Sequence, residues 1–224
     1  MTMTLEKAMT LAMRLLLAGL LLALAATAGA TAQVPDRIFI DGREYALNTN
    51  PLESRLRGRR DFLPEDVSRS TANWRGYVAH WAIDGDRLLL RRVEVRLYDR
   101  ESRQSSSVDL LTRLFPEGAP VVATWYSGAL IIPDGRLVDY VHMGYGSTYA
   151  HYRVYRIAQG RVVEALSMDA EQFRAYRERK FQAFRETAQY REAVADMRKE
   201  DSGMSAEDID GFVRGFHAEQ YMGQ

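Results

Sequence analysis

Residues 119–166 constrain the fold most. Val121-Val122-Ala123-Thr124-Trp125-Tyr126-Ser127-Gly128-Ala129-Leu130-Ile131-Ile132 is apolar on both faces of a period-two strand, the pattern of a strand covered twice. Pro133-Asp134-Gly135 reads as a turn after it, and residues 136–141 as a return. A glycine loop, Met143-Gly144-Tyr145-Gly146-Ser147-Thr148, leads to strand patterns over 149–158 and 161–166, with a Gln159-Gly160 turn between them. Short strands separated by turns in this way predict antiparallel pairing in hairpin order.

Upstream, Ile38-Phe39-Ile40 and residues 43–47 flank Asp41-Gly42, which supplies the positive φ angles of a tight hairpin turn. Asn50-Pro51-Leu52-Glu53 predicts a short helix to about Leu56. Residues 57–73 are charged and aperiodic, hence a loop, and Gly76 opens the main sheet. Over 87–98 the apolar positions change phase, from Leu88 and Leu90 to Val93, Val95 and Leu97. A strand can do that only with an extra residue, so a β-bulge is expected near Arg91-Arg92. Residues 99–107 read as a polar loop, with Ser106 or Ser107 capping a helix over 108–114.

After Ser167 the period changes. Asp169 and Gln172 make a capping box, and Phe173, Tyr176, Phe181, Phe184 and Ala188 recur at helical spacing. Arg174 and Glu178 are spaced as an i,i+4 pair. A break is expected near Thr187 and a stop at Asp201-Ser202-Gly203. A last helix starts at Ser205 and carries Ile209, Phe212, Val213 and Phe216, with Gly211 and Gly215 weakening it by about 1 kcal/mol each. The expected class is α+β: a strongly bent antiparallel sheet or incomplete β-barrel of about eight strands, then two or three C-terminal helices. A β-sandwich is the second choice.

The first 32 residues read as a cleaved secretory signal, leaving 33–224 as one globular domain, mainly β over 33–166 and helical over 167–224. Lys7 and Arg14 are basic, residues 15–24 are apolar, and the small-residue run 25–32 ends in Ala30-Thr31-Ala32. An uncleaved anchor is the competing reading, since 15–32 carries no charge. Cleavage before Gln33 implies a periplasmic or secreted protein without a membrane span. The chain has no cysteine, so its core must stand without disulfides. It holds 30 basic and 30 acidic residues; the leader takes Lys7, Arg14 and Glu6, leaving a net of −1. That balance supplies no field for nucleic acid.

For chemistry, the loop Gly144, Tyr145, Gly146, Ser147 and Thr148 is the leading ligand-binding candidate, since glycines let backbone N–H groups approach an anion. The plainer reading is a turn. It is not a P-loop, because no Lys follows. His142 and Ser147, with Asp139, are the residue types of a hydrolase, but Asp139 and His142 would face opposite sides of one strand. His80, His142 and His151 lack any metal-ligand spacing, and no metal or other cofactor is expected. Trp125 and His80 are further ligand candidates. Arg55, Arg57, Arg59 and Arg60 form a basic cluster offset by Asp61, Glu65 and Asp66.

Trp74-Arg75-Gly76-Tyr77-Val78-Ala79, Trp125-Tyr126-Ser127-Gly128 and the run from Tyr140 to Tyr149 together resemble an uncharacterised family of bacterial exported proteins, over roughly residues 41–190. The resemblance implies bacterial origin and export, and carries no fold, substrate or catalytic residue. The function expected is a non-catalytic module binding a protein or a small ligand, in the manner of an inhibitor or immunity protein. The alternatives are a hydrolase using the His142/Ser147 loop and a structural protein of the envelope.

Overall fold

A computed structural model describes residues 31–56, 59, 61–200 and 203–224. The segment expected to be a signal, apart from Thr31 and Ala32, lies outside these residues, as do Arg57 and Arg60 of the basic cluster and Asp201 and Ser202 of the expected stop. Among the described residues the fold is α+β, with nine strands in one large mixed sheet and six helices. No helix among them is long and apolar enough to cross a membrane.

β1 (Asp36–Ile40) and β2 (Arg43–Leu47) form the expected hairpin, with Asp41 and Gly42 at φ 51° and 80°. After the short α1 (Glu53–Leu56), β3 (Val78–Asp84) lies parallel to β1. This pairing corrects the all-antiparallel expectation. The long excursion between β2 and β3 lets the chain return in the direction of β1, which a hairpin cannot do. β4 (Arg87–Tyr98) pairs antiparallel with β3, and the register slips where His80 faces Arg92 but Trp81 faces Leu90. Arg91 is therefore the extra residue, where the phase change located it.

The other edge of β4 meets three partners in turn: β9 (Arg161–Asp169) at Arg87, β6 (Val121–Val122) at Leu89 and Leu90, and β5 (Ser105–Asp109) from Glu94 to Tyr98. β5 replaces the loop expected there. All its residues are exposed, so it carries no apolar alternation; the open edge of β4 organises it. The helix that follows, α2 (Leu111–Leu114), is shorter than 108–114 and takes no serine cap. Instead the Asp109 carboxylate accepts from Leu111 N at 2.9 Å and Val93 N at 3.0 Å.

The run 121–132 is not one strand. It breaks after β6 and resumes as β7 (Gly128–Asp139), which continues through Pro133-Asp134-Gly135. That tripeptide is an irregularity inside the strand, with register shifts around Leu137, rather than a turn. β7 is the last strand in the order β2-β1-β3-β4-β9-β8-β7, and an edge strand tolerates proline. It pairs antiparallel with β8 (Thr148–Ala158), which pairs antiparallel with β9.

The expected double cover of β7 is present. Leu130 and Ile132 join Ile38, Leu47, Trp81 and Leu90 in a core among strands. Ala129 and Ile131, on the other face, join Phe173, Phe181, Phe184 and Val213 under the helices. Each large apolar side chain fully buried there contributes about 1.5–3 kcal/mol. The helices are α3 (Ala170–Arg185), α4 (Ala188–Glu200), α5 (Ala206–Phe216) and α6 (Ala218–Tyr221). The Asp169–Gln172 box caps α3 with both reciprocal bonds, and Ser205 caps α5. Glu178 pairs with Arg214 of α5 rather than with Arg174. Tertiary contact outweighs a weak i,i+4 pair.

Candidate functional site

Where β2 ends, the chain passes β7 and enters a polar corner. Asn48 N donates to Ile131 O at 2.8 Å. Asn50 then ties three elements together. Its N–H donates to Glu219 Oε2 of α6 at 3.1 Å, its carbonyl accepts from Glu53 N, and its Oδ1 accepts from the Tyr145 hydroxyl at 2.9 Å. These groups line a cavity of about 540 Å3, walled by the glycine loop, α3, α5 and α6.

The glycine loop folds as a turn with a cavity face. Gly144 takes φ +52°, open to glycine at little cost. Gly146 N donates back to Met143 O at 3.0 Å, so this N–H closes its own turn and does not await an anion. Gly144 O accepts from Gln33 N at 2.9 Å, which straps the segment before β1 across the loop. All five loop candidates, Gly144 to Thr148, line the cavity.

The other candidates lie elsewhere. Trp125 stacks on Phe115, with centroids 5.2 Å apart, and its Nε1 donates to Pro51 O. His80 sits 3.4 Å from Glu94 beside a separate hollow of about 240 Å3. His142 Nδ1 pairs with the Tyr140 hydroxyl at 2.8 Å, whereas Ser147 Oγ accepts from Val141 N at 3.0 Å. Ser127 Oγ accepts from Gln159 N. The two hydroxyls are thus committed to backbone, and the dyad that a hydrolase would need is not formed. No group of three or more His, Asp or Glu side chains able to hold a metal occurs among the described residues.

Behind the corner lies a buried ion pair. Asp36 accepts from Arg75 Nη1 at 2.8 Å, Ala79 N at 3.1 Å and Trp81 Nε1 at 3.1 Å. Burial pushes its carboxyl upward, and the guanidinium and these donors pull it back. Burial outweighs them, so the net shift is upward, and it is the ion pair with Arg75 that favours the carboxylate. Asp36 in turn holds Arg75 charged against burial. The Tyr145 phenol is pushed up to about 12, chiefly by burial.

Glu219 forms the acidic end. Burial raises its pKa above the ordinary value; the charges of Asp36 and Glu53 add to the rise, and Asn50 N–H and Arg75 oppose it. Along the wall, Tyr152 and Phe173 stack with centroids 3.8 Å apart. Arg174 and Arg177 enter from α3. Trp74, Met143 and Phe216 are more than half exposed and lie at the cavity's margin.

Sequence reasoning missed Asn50, Arg75, Arg174, Arg177 and Glu219 as site residues. One signal was available. Gly211 and Gly215 lie four apart in an otherwise amphipathic helix, and a Cβ on either would meet nothing within 4 Å. The pair keeps a helix face bare where it borders the cavity. No protein-family model matches the chain, and neither a curated protein nor a solved structure shows significant similarity to it.

Proposed function

We propose that this is an exported, non-catalytic binding protein that holds a small, largely apolar ligand between the glycine loop and the C-terminal helices. The observation that carries the reading is the cavity itself. Its volume of about 540 Å3 falls within the usual range of ligand pockets, and aromatic walls with a few convergent polar groups are their usual lining. The reading takes the sheet as an incomplete barrel, with the cavity at the seam where Asn48 bonds Ile131. Export rests on the leader pattern and the family resemblance.

The neutral dye Nile red tests it. Purified protein should bind the dye with enhanced fluorescence, and Gly215→Trp should abolish binding while thermal unfolding stays cooperative. Equal dye binding by wild type and Gly215→Trp would remove the cavity from the account.

A protein partner is the second reading. It is favoured by Leu137 and Val138 at the end of β7 and Tyr140 just past it, which stand 47%, 50% and 58% exposed. Replacing all three with Ser should leave dye binding intact and abolish co-purification of a partner from the host's exported proteins. Unchanged co-purification would sink that reading.

A further inference from the structure

The charges and unmet hydrogen-bonding groups of the cavity are unevenly distributed. At the inner end the unmet group is an acceptor. Glu219 Oε2 takes the Asn50 N–H, and no donor among the described residues reaches its other oxygen. A ligand that donates to that second Glu219 oxygen gains a charge-assisted bond. Of the fixed charges near Glu219, Asp36 and Arg75 offset each other as an ion pair, and Glu53 leaves the balance acidic.

The α3 wall has the opposite sign. Arg174 makes no ion pair among the described residues and is exposed. Arg177 uses Nε on the Tyr221 hydroxyl and Nη2 on Arg214 O, and its Nη1 has no partner among the described residues. Tyr145, Tyr152, Phe173 and Ile131 line the same cavity. A cavity of 540 Å3, if round, is about 10 Å across, the length of about three extended residues.

We propose that the ligand is a short apolar peptide, with its α-ammonium inward on Glu219 and its carboxylate outward at Arg174 and Arg177. This inference rests on the binding reading above and names its ligand class. Charge-assisted bonds at both ends fix the direction of the chain, and the aromatic walls take its side chains without strict selection. Glu219 is the group that would make amine binding pH-dependent. The titratable and charged groups facing it are Asp36 of β1, Glu53 of α1, Arg75 ahead of β3, Tyr126 ahead of β7, and Tyr145 of the glycine loop.

Displacement of Nile red tests the proposal. Phe-Ala-Phe should displace the dye, and its N-acetylated form should do so at least about tenfold more weakly, as expected for loss of an ionic hydrogen bond. The C-amidated form should also lose about tenfold. Glu219→Gln keeps an acceptor for Asn50 N–H and should erase the preference for the free amine. Arg174→Gln should reduce the preference for the free carboxylate. Displacement by the free amine should strengthen as pH rises through the raised Glu219 titration, and stay flat over that range in Glu219→Gln. Dye binding that Gly215→Trp abolishes, with all three peptides competing equally or none competing, would overturn the peptide inference and leave the cavity reading standing. No dye binding at all would remove both.

Discussion

Asp36 and Arg75 show how a single polar node can hold three chain segments. Arg75 Nη2 also donates to Val34 O at 2.8 Å, so the pair pins the entry to β1 against β3. Removing one partner of a buried pair leaves the other charge stranded. Arg75→Met should therefore cost about 3–5 kcal/mol, read as a lowered urea midpoint at unchanged slope. The double variant Asp36→Asn with Arg75→Met removes both charges, keeps an oxygen for Ala79 N, and should cost less than the single. It still strands the Trp81 N–H, at about 1–3 kcal/mol. A single variant no worse than the double would show that the pair does not act as a unit. Glu219 gives a second prediction. Its folded pKa is raised by burial above the value of 4.5, so between those two values the folded state binds more protons than the unfolded. The stability it contributes is complete below the unfolded value and is lost as pH rises through the folded one. Glu219→Gln should match wild type in acid and be the more stable of the two near neutrality, measured by denaturant titration across pH. Wild type that gains stability relative to the variant over that rise would reverse the assignment.

Helix α5 and the hairpin β8–β9 use glycine for opposite reasons, which makes a paired test possible. Gly211→Ala adds a Cβ to open space in a helix interior and should stabilise by about 0.5–1 kcal/mol. Gly160→Ala must take φ +77° with its Cβ 2.7 Å from the Ala123 carbonyl, and should destabilise by more than about 1 kcal/mol. Thermal unfolding of the two variants, shifted in opposite directions, checks the contrast. The same elements show which parts of the fold could be read from residue pattern. The Asp169–Gln172 box, the bulge at Arg91 and the break near Thr187 are local, each set by residues within a few positions of one another. β5 could not be read that way, because a serine-rich strand with every side chain exposed takes its shape from the edge of β4. Pro133-Asp134-Gly135 has the chemistry of a turn, but both flanks of β7 stay paired to β8 and carry the chain through. In the site, the glycine loop was legible because five of its residues are consecutive. Glu219 meets Asn50 across 169 residues, and no spacing rule connects them.

β7 couples the two cores, since its alternate residues enter different ones. The strand core and the helical core should therefore unfold together, and the C-terminal tail is the exposed point of that coupling. Gly223 lies so close to β7 that a Cβ placed on it would be 2.4 Å from Gly128 Cα. Tyr221 and Met222, just before it, are fully buried in the helical core, and Glu219 carries the acidic end of the cavity. Gly223→Val cannot be accommodated by a side-chain rotation, because the clash is with backbone; the tail must lift from β7. Three consequences follow from one displacement. Tyr221 and Met222 lose burial worth about 1.5–3 kcal/mol each, the Asn50–Glu219 bond breaks, and the cavity loses a wall. The expected outcome is a lower thermal midpoint and loss of Nile red binding, with the far-ultraviolet strand signal retained at low temperature. Phe181→Ala, deep in the helical core, should cost about 3–5 kcal/mol and lower the same single transition. Two separate transitions in Phe181→Ala would show that β7 does not bind the cores into one cooperative unit. Dye binding retained in Gly223→Val would show that the cavity does not depend on the tail, and would free its acidic end from the role given to it.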